Sequence, residues 1–302
     1  MSPFQATGED GARALIEQFE QRADSVDVPF EQARIRWRRI GSGPPLVLVH
    51  GGNGSWLHWV RNIEALAGAH TLWLPDLPGC GDSDTLPAPA TLERLVAALR
   101  YCIAALIGAQ REIDVAAFSF GSLLSSNLAV ARGHVRRLAL FGATGHGFPR
   151  APLGLRNWRT LPPHAQAEAH RHNVATLMLH DPASIDALAL AVHRGASERT
   201  RLRSKQLSHT SVTRQALDRL STPMLLVWGE HDPTALPAEV APALAAGHAN
   251  RQWLIVPGAG HWVQYERAAE INPLLQRWFG ESAGPSPGRL SSGGRNGRTA
   301  RL

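Results

Sequence analysis

The stretch "VAAFSFGSLLSS" (residues 115–126) joins an apolar run to a run with helical spacing at one serine, Ser119. Small residues stand two positions before and two positions after this serine, at Ala117 and Gly121. A sharp turn from a strand into a helix needs small residues there, because longer side chains would strike the adjoining elements. The pattern predicts that Ser119 is an exposed nucleophile. The alternative is a serine that only caps the helix of an ordinary turn.

Outward from Ser119, strand-like apolar runs alternate with helical runs over most of the chain. The clearest runs are "PPLVLVHGG" (44–52), "HTLWLPDLPG" (70–79) and "MLLVWG" (224–229), each bounded by Gly or Pro. The segment "ARIRWRRIG" (33–41) alternates polar and apolar residues, as an edge strand does. This order predicts an α/β fold with a doubly wound, mostly parallel sheet.

Three segments depart from the alternation and set the predicted domain boundaries. We expect an N-terminal helical extension (1–30), a helical cap inserted after the sixth strand (146–220), a disordered basic tail (281–302), and a core formed by 31–145 and 221–280. Ligands of parallel sheets bind outside the carboxyl ends of the strands. A cap that leaves this edge would therefore cover Ser119.

Composition narrows the function classes further. Half of the formal charge of +6 falls in the last 22 residues, where four arginines oppose one glutamate, and no basic helix with interleaved aromatics accompanies it. The two cysteines favour a reducing compartment, and neither a signal peptide nor a run of about 18 apolar residues is present. We expect a cytoplasmic protein that binds a small molecule and neither nucleic acid nor a membrane. No motif for a metal or a cofactor is found, and a homodimer is left open.

Two polar residues just past predicted strands complete a candidate constellation. Asp232 follows "MLLVWG" and His261 follows "QWLIV" (252–256). A serine hydroxyl is a weak nucleophile until an imidazole takes its proton, and that imidazole needs a carboxylate to orient it. Ser119, Asp232 and His261 therefore predict a catalytic triad. Asp76 is the alternative acid, and the alternative roles are a helix cap for Asp232 and a loop contact for His261.

A negatively charged oxygen that develops during acyl transfer needs two backbone N–H donors. One donor is predicted at Phe120, directly after the nucleophile and at the positive end of its helix. The other is predicted in the Gly-rich loop "HGGNGSW" (50–56), at Gly52, with Asn53 as the alternative. Phosphate binding is the rival role of such a loop, but the chain lacks the known phosphate-loop and dinucleotide patterns.

With these motifs in place, residues 35–280 resemble the α/β-hydrolase fold family. The resemblance rests on the order and spacing of "HGGNGSW", "WVRNI", "LPDLPGCGDSD", "AFSFGS", "WGEHD" and "GAGHWVQYERAAEIN". It implies the α/β-hydrolase fold and a serine hydrolase without a cofactor. A fold alone does not fix the substrate.

Within that family the chain is most similar to the meta-cleavage-product hydrolases, which cut carbon–carbon bonds in 1,5-diketones from aromatic ring degradation. The resemblance implies that Trp262 lines the substrate pocket and that Arg194 binds a substrate carboxylate. It also places Asn53 and Phe118 among the substrate-binding residues. Two positions depart from the family pattern, since Phe118 replaces Asn and Ala117 replaces Gly.

These observations predict a serine hydrolase that acts on a small carboxylate-bearing ester or on a ring-cleavage 1,5-diketone. The alternatives are a thioesterase or acyltransferase and a general carboxylesterase. A protein of a different class, a binding module that kept the fold and lost turnover, would show no Ser119-dependent reaction with a fluorophosphonate.

Overall fold

The computed structural model describes residues 8–281, which contain one eight-stranded sheet flanked by helices. The strands are β1 (Asp24–Phe30), β2 (Ala33–Ile40), β3 (Pro45–Val49), β4 (Thr71–Pro75), β5 (Ile113–Phe118), β6 (Val135–Phe141), β7 (Met224–Gly229) and β8 (Arg251–Val256). They lie in the order β1-β2-β4-β3-β5-β6-β7-β8. Strand β2 is antiparallel to β1 and β4, and the other neighbours are parallel. The predicted doubly wound, mostly parallel sheet is confirmed.

Helices connect most of the strands. They are α1 (Gly8–Arg22), α2 (Ile63–Ala67), α3 (Leu92–Leu106), α4 (Phe120–Arg132), α5 (Pro163–Asn173), α6 (Ala187–Arg199), α7 (Lys205–Ser208), α8 (Val212–Leu217), α9 (Pro237–Ala245), α10 (Val263–Glu266) and α11 (Ala268–Gly280). In residues 8–281, none of them is both long and apolar enough to cross a membrane.

The central strands are buried on both faces of the sheet. In β3, Val47 and Val49 belong to one apolar cluster, and Leu46 and Leu48 belong to the cluster on the opposite face. Successive side chains of a strand point to opposite faces, so a continuous apolar run fills two core layers at once. This double burial is why "LVLV" contains no polar residue.

The structure of residues 24–30 differs from two of the sequence-based expectations. They form β1 rather than the end of a helical extension, and β1 rather than β2 is the edge strand on this side of the sheet. Asp24 lies 2.7 Å from Arg39, and Asp27 lies 2.5 Å from Arg36. These arginines of β2 therefore have acidic partners across the ladder while staying partly exposed to solvent.

Residues 142–223 lie between β6 and β7 and contain α5 to α8. We call this segment the insertion. The predicted cap, residues 146–220, falls within it. The insertion contacts both loops that border Ser119, since Ser204 lies beside Gly52 and Leu179 lies beside Gly260.

Helix α1 connects the N-terminal region to the insertion. It packs against α6, and Phe19 is buried on it with 1% exposure. Its last residue, Arg22, forms a solvent-exposed ion pair with Glu64 of α2. The predicted tail lies outside the described residues apart from Glu281, and a homodimer stays a prediction.

Candidate active site

Ser119 lies on the sharp turn between β5 and α4. Its backbone φ of +52° falls in the left-handed region that a residue with a side chain rarely adopts. The turn leaves no space at Gly121, where an added Cβ would come within 2.4 Å of the carbonyl oxygen of His50. Such backbone strain is tolerated where the surroundings fix it, and it is concentrated at functional sites. The small residue at 121 is therefore a requirement of the turn.

The three predicted polar residues meet at the carboxyl edge of the sheet. Nε2 of His261 lies 2.9 Å from Oγ of Ser119, and Nδ1 of His261 lies 2.7 Å from Oδ2 of Asp232. The absence of a side chain at Gly142 makes room for the imidazole, because a Cβ there would lie 2.8 Å from Cε1 of His261. A neutral imidazole with its proton on Nδ1 donates to the carboxylate and can accept the hydroxyl proton at Nε2.

The environment of Asp232 keeps its carboxyl group ionised. The side chain is buried, and burial by itself raises the pKa, but the attraction of His261 and hydrogen bonds from His261 and Thr234 outweigh it. The pKa of Asp232 is therefore below its usual value. The Thr234 amide and hydroxyl lie 2.8 and 2.7 Å from Oδ1 of Asp232.

The alternative acid, Asp76, has a structural environment. Its carboxylate lies 2.8 Å from Nη1 of Arg38 and accepts the backbone N–H of Trp56 at 2.9 Å. Oδ1 of Asp76 thereby fixes the Gly-rich loop, and Oδ2 is occupied by Arg38 and the Asp82 N–H. His50 also braces this loop, since its Nε2 accepts the Leu77 N–H at 2.9 Å and its Nδ1 lies 2.7 Å from the Gly51 carbonyl.

The Gly-rich loop passes beside the start of α4. An added Cβ at Gly52 would lie 3.6 Å from Cβ of Phe120, so the two predicted N–H donors belong to adjacent segments. Asn53 adopts a φ of +51°, which asparagine tolerates better than most residues. The oxyanion role of Gly52 and Phe120 stays a prediction that this proximity supports.

A cavity of about 170 Å³ lies between the Gly-rich loop and the insertion. Its lining includes two arginines, two histidines and no carboxylate: Gly52, Asn53, His58, Leu155, Arg156, Asn157, Trp158, Arg159, Asn173, Leu177, Met178, His193 and Ser197. Burial holds the pKa of His58 well below its usual value and lowers that of His193 to about 4. Both imidazoles are therefore neutral near pH 7, and the arginines supply the charge of the lining.

Two of the predicted substrate residues do not face this cavity. Arg194 is on the outer surface, where its side chain is 58% exposed and lies 2.8 Å from Glu198. Trp262 is fully buried behind His58, to whose carbonyl oxygen it donates its indole N–H at 2.8 Å. Neither residue lines this cavity, because Arg194 lies on the outer face of α6 and Trp262, just before α10, is packed in the core.

Asn53 and Phe118 are the other two residues predicted to bind substrate. Asn53 lines the cavity. Phe118 is buried, with its ring centroid 4.8 Å from that of His261, so it supports the imidazole from behind. Sequence reasoning missed Thr234, although a hydroxyl two positions after a candidate acid is a usable signal.

Buried histidines should make the fold less stable in mild acid, and Asp114, whose carboxyl pKa burial raises to about 6, offsets part of this loss. Burial lowers the pKa of His146 to about 4, as it does for His193, whereas an unfolded histidine titrates near 6.5. Between these values the unfolded chain binds more protons, so the free energy of unfolding falls as pH falls from about 6.5 towards 4. We expect the two residues together to cost up to about 4 kcal/mol at pH 5. Urea unfolding at pH 7.5 and pH 5 measures this loss.

His193→Phe provides the control for that prediction. It removes one of the buried titrating groups, so the difference in unfolding free energy between the two pH values should shrink by up to about 2 kcal/mol. Equal stability of the native protein at both pH values would contradict the interpretation.

The comparisons with known proteins agree with this architecture. Residues 46–274 match the alpha/beta hydrolase family, so the chain belongs to that family of hydrolases. The resemblance inferred from the sequence motifs is confirmed.

Individual relatives differ in their chemistry. The chain is 29% identical over 265 residues to the dihydrolipoyllysine-residue acetyltransferase component of the acetoin cleaving system of Pseudomonas putida, covering 80% of this chain but only 65% of that protein. It is 24% identical to a 2-hydroxy-6-oxononadienedioate/2-hydroxy-6-oxononatrienedioate hydrolase of Paraburkholderia phymatum, covering 83% of this chain and 92% of the relative. It is 30% identical to the pimeloyl-[acyl-carrier protein] methyl ester esterase of Stenotrophomonas maltophilia, covering 82% of this chain and 96% of the relative.

Among solved structures, the meta-cleavage product hydrolase of Pseudomonas fluorescens IP01 superposes with a TM-score of 0.69 at 21% identity, covering 84% of this chain and 97% of that one. This likeness shows the shared fold.

Proposed function

We propose that this protein is a serine hydrolase that cleaves a small carboxylic ester, with Ser119 as nucleophile, His261 as general base and acid, and Asp232 as the carboxylate that orients His261. The observation that carries the proposal is the continuous hydrogen-bonded chain from Ser119 through His261 to Asp232, set on a strained turn. A serine that only capped α4 would need neither contact. Its side chain makes no capping hydrogen bond to that helix.

The reaction follows from the positions of these groups. Oγ of Ser119 attacks the ester carbonyl carbon while its proton passes to Nε2 of His261. The N–H groups of Gly52 and Phe120 hold the resulting oxyanion. His261 then protonates the leaving alcohol oxygen as the C–O bond breaks, which leaves an acyl group on Ser119. A water molecule, deprotonated by His261, then attacks this acyl group; the C–Oγ bond breaks as His261 returns the proton to Ser119, and the acid is released.

The cavity lining favours a substrate that carries a carboxylate. Arg156 and Arg159 contribute positive charge, and the lining contains no acidic residue; Glu168, outside the lining, lies 3.7 Å from Arg156. Arg159 is held in place by donating to the carbonyl of Ser197 at 2.6 Å and by stacking 4.4 Å from the ring centroid of Trp158. An ordered guanidinium binds a carboxylate better than a mobile one, because less side-chain entropy is lost.

Carbon–carbon hydrolysis of a 1,5-diketone is the second candidate. Its support is the similarity to a relative with that chemistry across 92% of the relative's length. Phe118 argues against it, because a phenyl ring cannot hydrogen-bond a polar dienol and here it packs on His261. Thioester hydrolysis and acyl transfer would use the same three residues with a different leaving group or acceptor.

Paired substrates test the proposal. We expect the protein to release nitrophenol from 4-nitrophenyl hemisuccinate and from the uncharged 4-nitrophenyl butyrate, with the lower KM for the hemisuccinate because of the arginines in the cavity. Arg159→Gln should raise the KM for the hemisuccinate about tenfold and leave that for the butyrate nearly unchanged. Steady-state kinetics on both esters measure this difference.

Arg194→Gln is the matched control for that experiment, since Arg194 belongs to the same segment but faces solvent. It should change neither KM. A yellow dienol substrate that is bleached while both esters remain intact would instead support carbon–carbon hydrolysis.

A further inference from the structure

One hydroxyl beside the Asp232–His261 pair has no part in the reaction described above. Thr234 is buried, with 6% exposure, and follows Asp232 by two positions. Its Oγ1 lies 2.7 Å from Oδ1 of Asp232 and 3.3 Å from Nδ1 of His261. A single side chain therefore contacts both members of the pair.

The direction of these hydrogen bonds follows from the donors available. An ionised carboxylate only accepts, and a hydroxyl has one proton, so the shorter contact is the one in which Oγ1 of Thr234 donates to Asp232. Oγ1 can then accept a second, weaker hydrogen bond from Nδ1–H of His261. Because the Thr234 amide also donates to Oδ1, at 2.8 Å, Oδ2 is the oxygen left for His261.

The backbone of Thr234 is itself supported. Its carbonyl group is hydrogen-bonded by the side chain of His146, which is fully buried. Nδ1 of His146 in turn accepts the backbone N–H of Phe148 at 3.1 Å. The threonine is thus held from the insertion side while its hydroxyl holds the carboxylate.

We propose that Thr234 is a positioning residue for the reaction: its hydroxyl fixes the rotation of the Asp232 carboxylate and gives Nδ1–H of His261 a second acceptor. The proposal rests on the proposed function of Ser119, Asp232 and His261. Without the hydroxyl, Oδ1 keeps only the amide, the carboxylate can rotate about its last bond, and His261 loses part of the constraint on its ring.

Thr234→Val removes the hydroxyl and keeps the side-chain shape. We expect kcat for the nitrophenyl ester to fall about tenfold with little change in KM, which corresponds to the loss of one hydrogen bond to a charged group. Losing the hydroxyl also changes the hydrogen bonding of both Asp232 and His261, so the acid limb of the kcat/KM profile should move. Thr234→Ser keeps the hydroxyl and should stay within about threefold of the native protein.

Thr222→Val is the matched control, because it removes a threonine hydroxyl that makes a hydrogen bond, here to the backbone carbonyl of Val135, and that lies away from the site. It should leave kcat and the pH profile unchanged. A purely structural role for Thr234 would lower the melting temperature without moving the acid limb.

A second readout does not depend on turnover. In the Ser119→Ala protein, the low-field proton resonance of the imidazole Nδ1–H should shift when Thr234→Val is added and stay in place when Thr222→Val is added. Native kinetics together with an unmoved resonance in Thr234→Val would overturn the proposal, as would a tenfold loss of kcat in Thr234→Ser. A native protein that neither cleaves esters nor reacts with a fluorophosphonate would instead overturn the proposed function, and the resonance would still report on Thr234.

Discussion

Ser119→Ala is expected to lower kcat/KM for ester hydrolysis by about 10⁴- to 10⁶-fold and to leave the fold intact. The size of the loss follows from the chemistry: without Oγ there is no atom for His261 to activate, and only binding and the oxyanion donors remain. The melting temperature should not fall, because alanine removes the strained residue's hydroxyl without creating a cavity. Steady-state kinetics and thermal unfolding on the same preparations measure both effects.

Ser125→Ala is the matched control for this substitution. Ser125 lies on α4, is buried, and its hydroxyl has no hydrogen-bond partner within residues 8–281. Its removal should therefore change neither turnover nor stability by much. Retention of full activity by Ser119→Ala would contradict the assignment of the nucleophile, as would fluorophosphonate labelling that persists without Ser119.

Leu48→Asp should abolish folding. Leu48 has no exposure and lies in β3, the strand between β4 and β5. A carboxylate there loses its hydration without gaining a partner, and the leucine contacts are lost as well, for a cost of about 5 kcal/mol or more. That cost is comparable to the whole free energy of unfolding of a typical domain, about 5–15 kcal/mol. Circular dichroism and yield of the soluble protein measure the outcome.

Trp253→Asp tests the same kind of change at an exposed position. Trp253 lies on the edge strand β8 and is 44% exposed, so a carboxylate there stays hydrated. This variant should fold with a loss of about 1 kcal/mol. A Leu48→Asp protein that is folded and active would contradict the buried position of β3.

The parts of the fold and site that the sequence predicts well are those set by local patterns. The turn at Ser119 needs small neighbours whatever the rest of the chain does, and the double burial of β3 leaves an apolar run. Asp232 and His261 could be placed beside Ser119 because parallel strands bring their carboxyl ends to one edge. The short distances among the three side chains agree with that placement.

Side-chain direction in the insertion depended on packing that no local pattern records. Neighbouring residues on a helix point about 100° apart. His193 faces the cavity, whereas Arg194, the next residue, faces solvent. Strand β1 was missed for a similar reason: the sequence "DSVDVPF" carries two aspartates that satisfy arginines on β2, a pairing that only the sheet order reveals.

The position of α1 has a consequence for how the insertion is held on the sheet. Besides the ion pairs that join it to the core, such as Arg61–Asp186 and Arg199–Asp82, the insertion is connected to α2 through α1. Swinging the insertion outward about its chain ends would separate α6 from α1 or break the ion pair between Arg22 and Glu64. The N-terminal helix therefore helps to hold the insertion in place, although none of its residues lines the cavity.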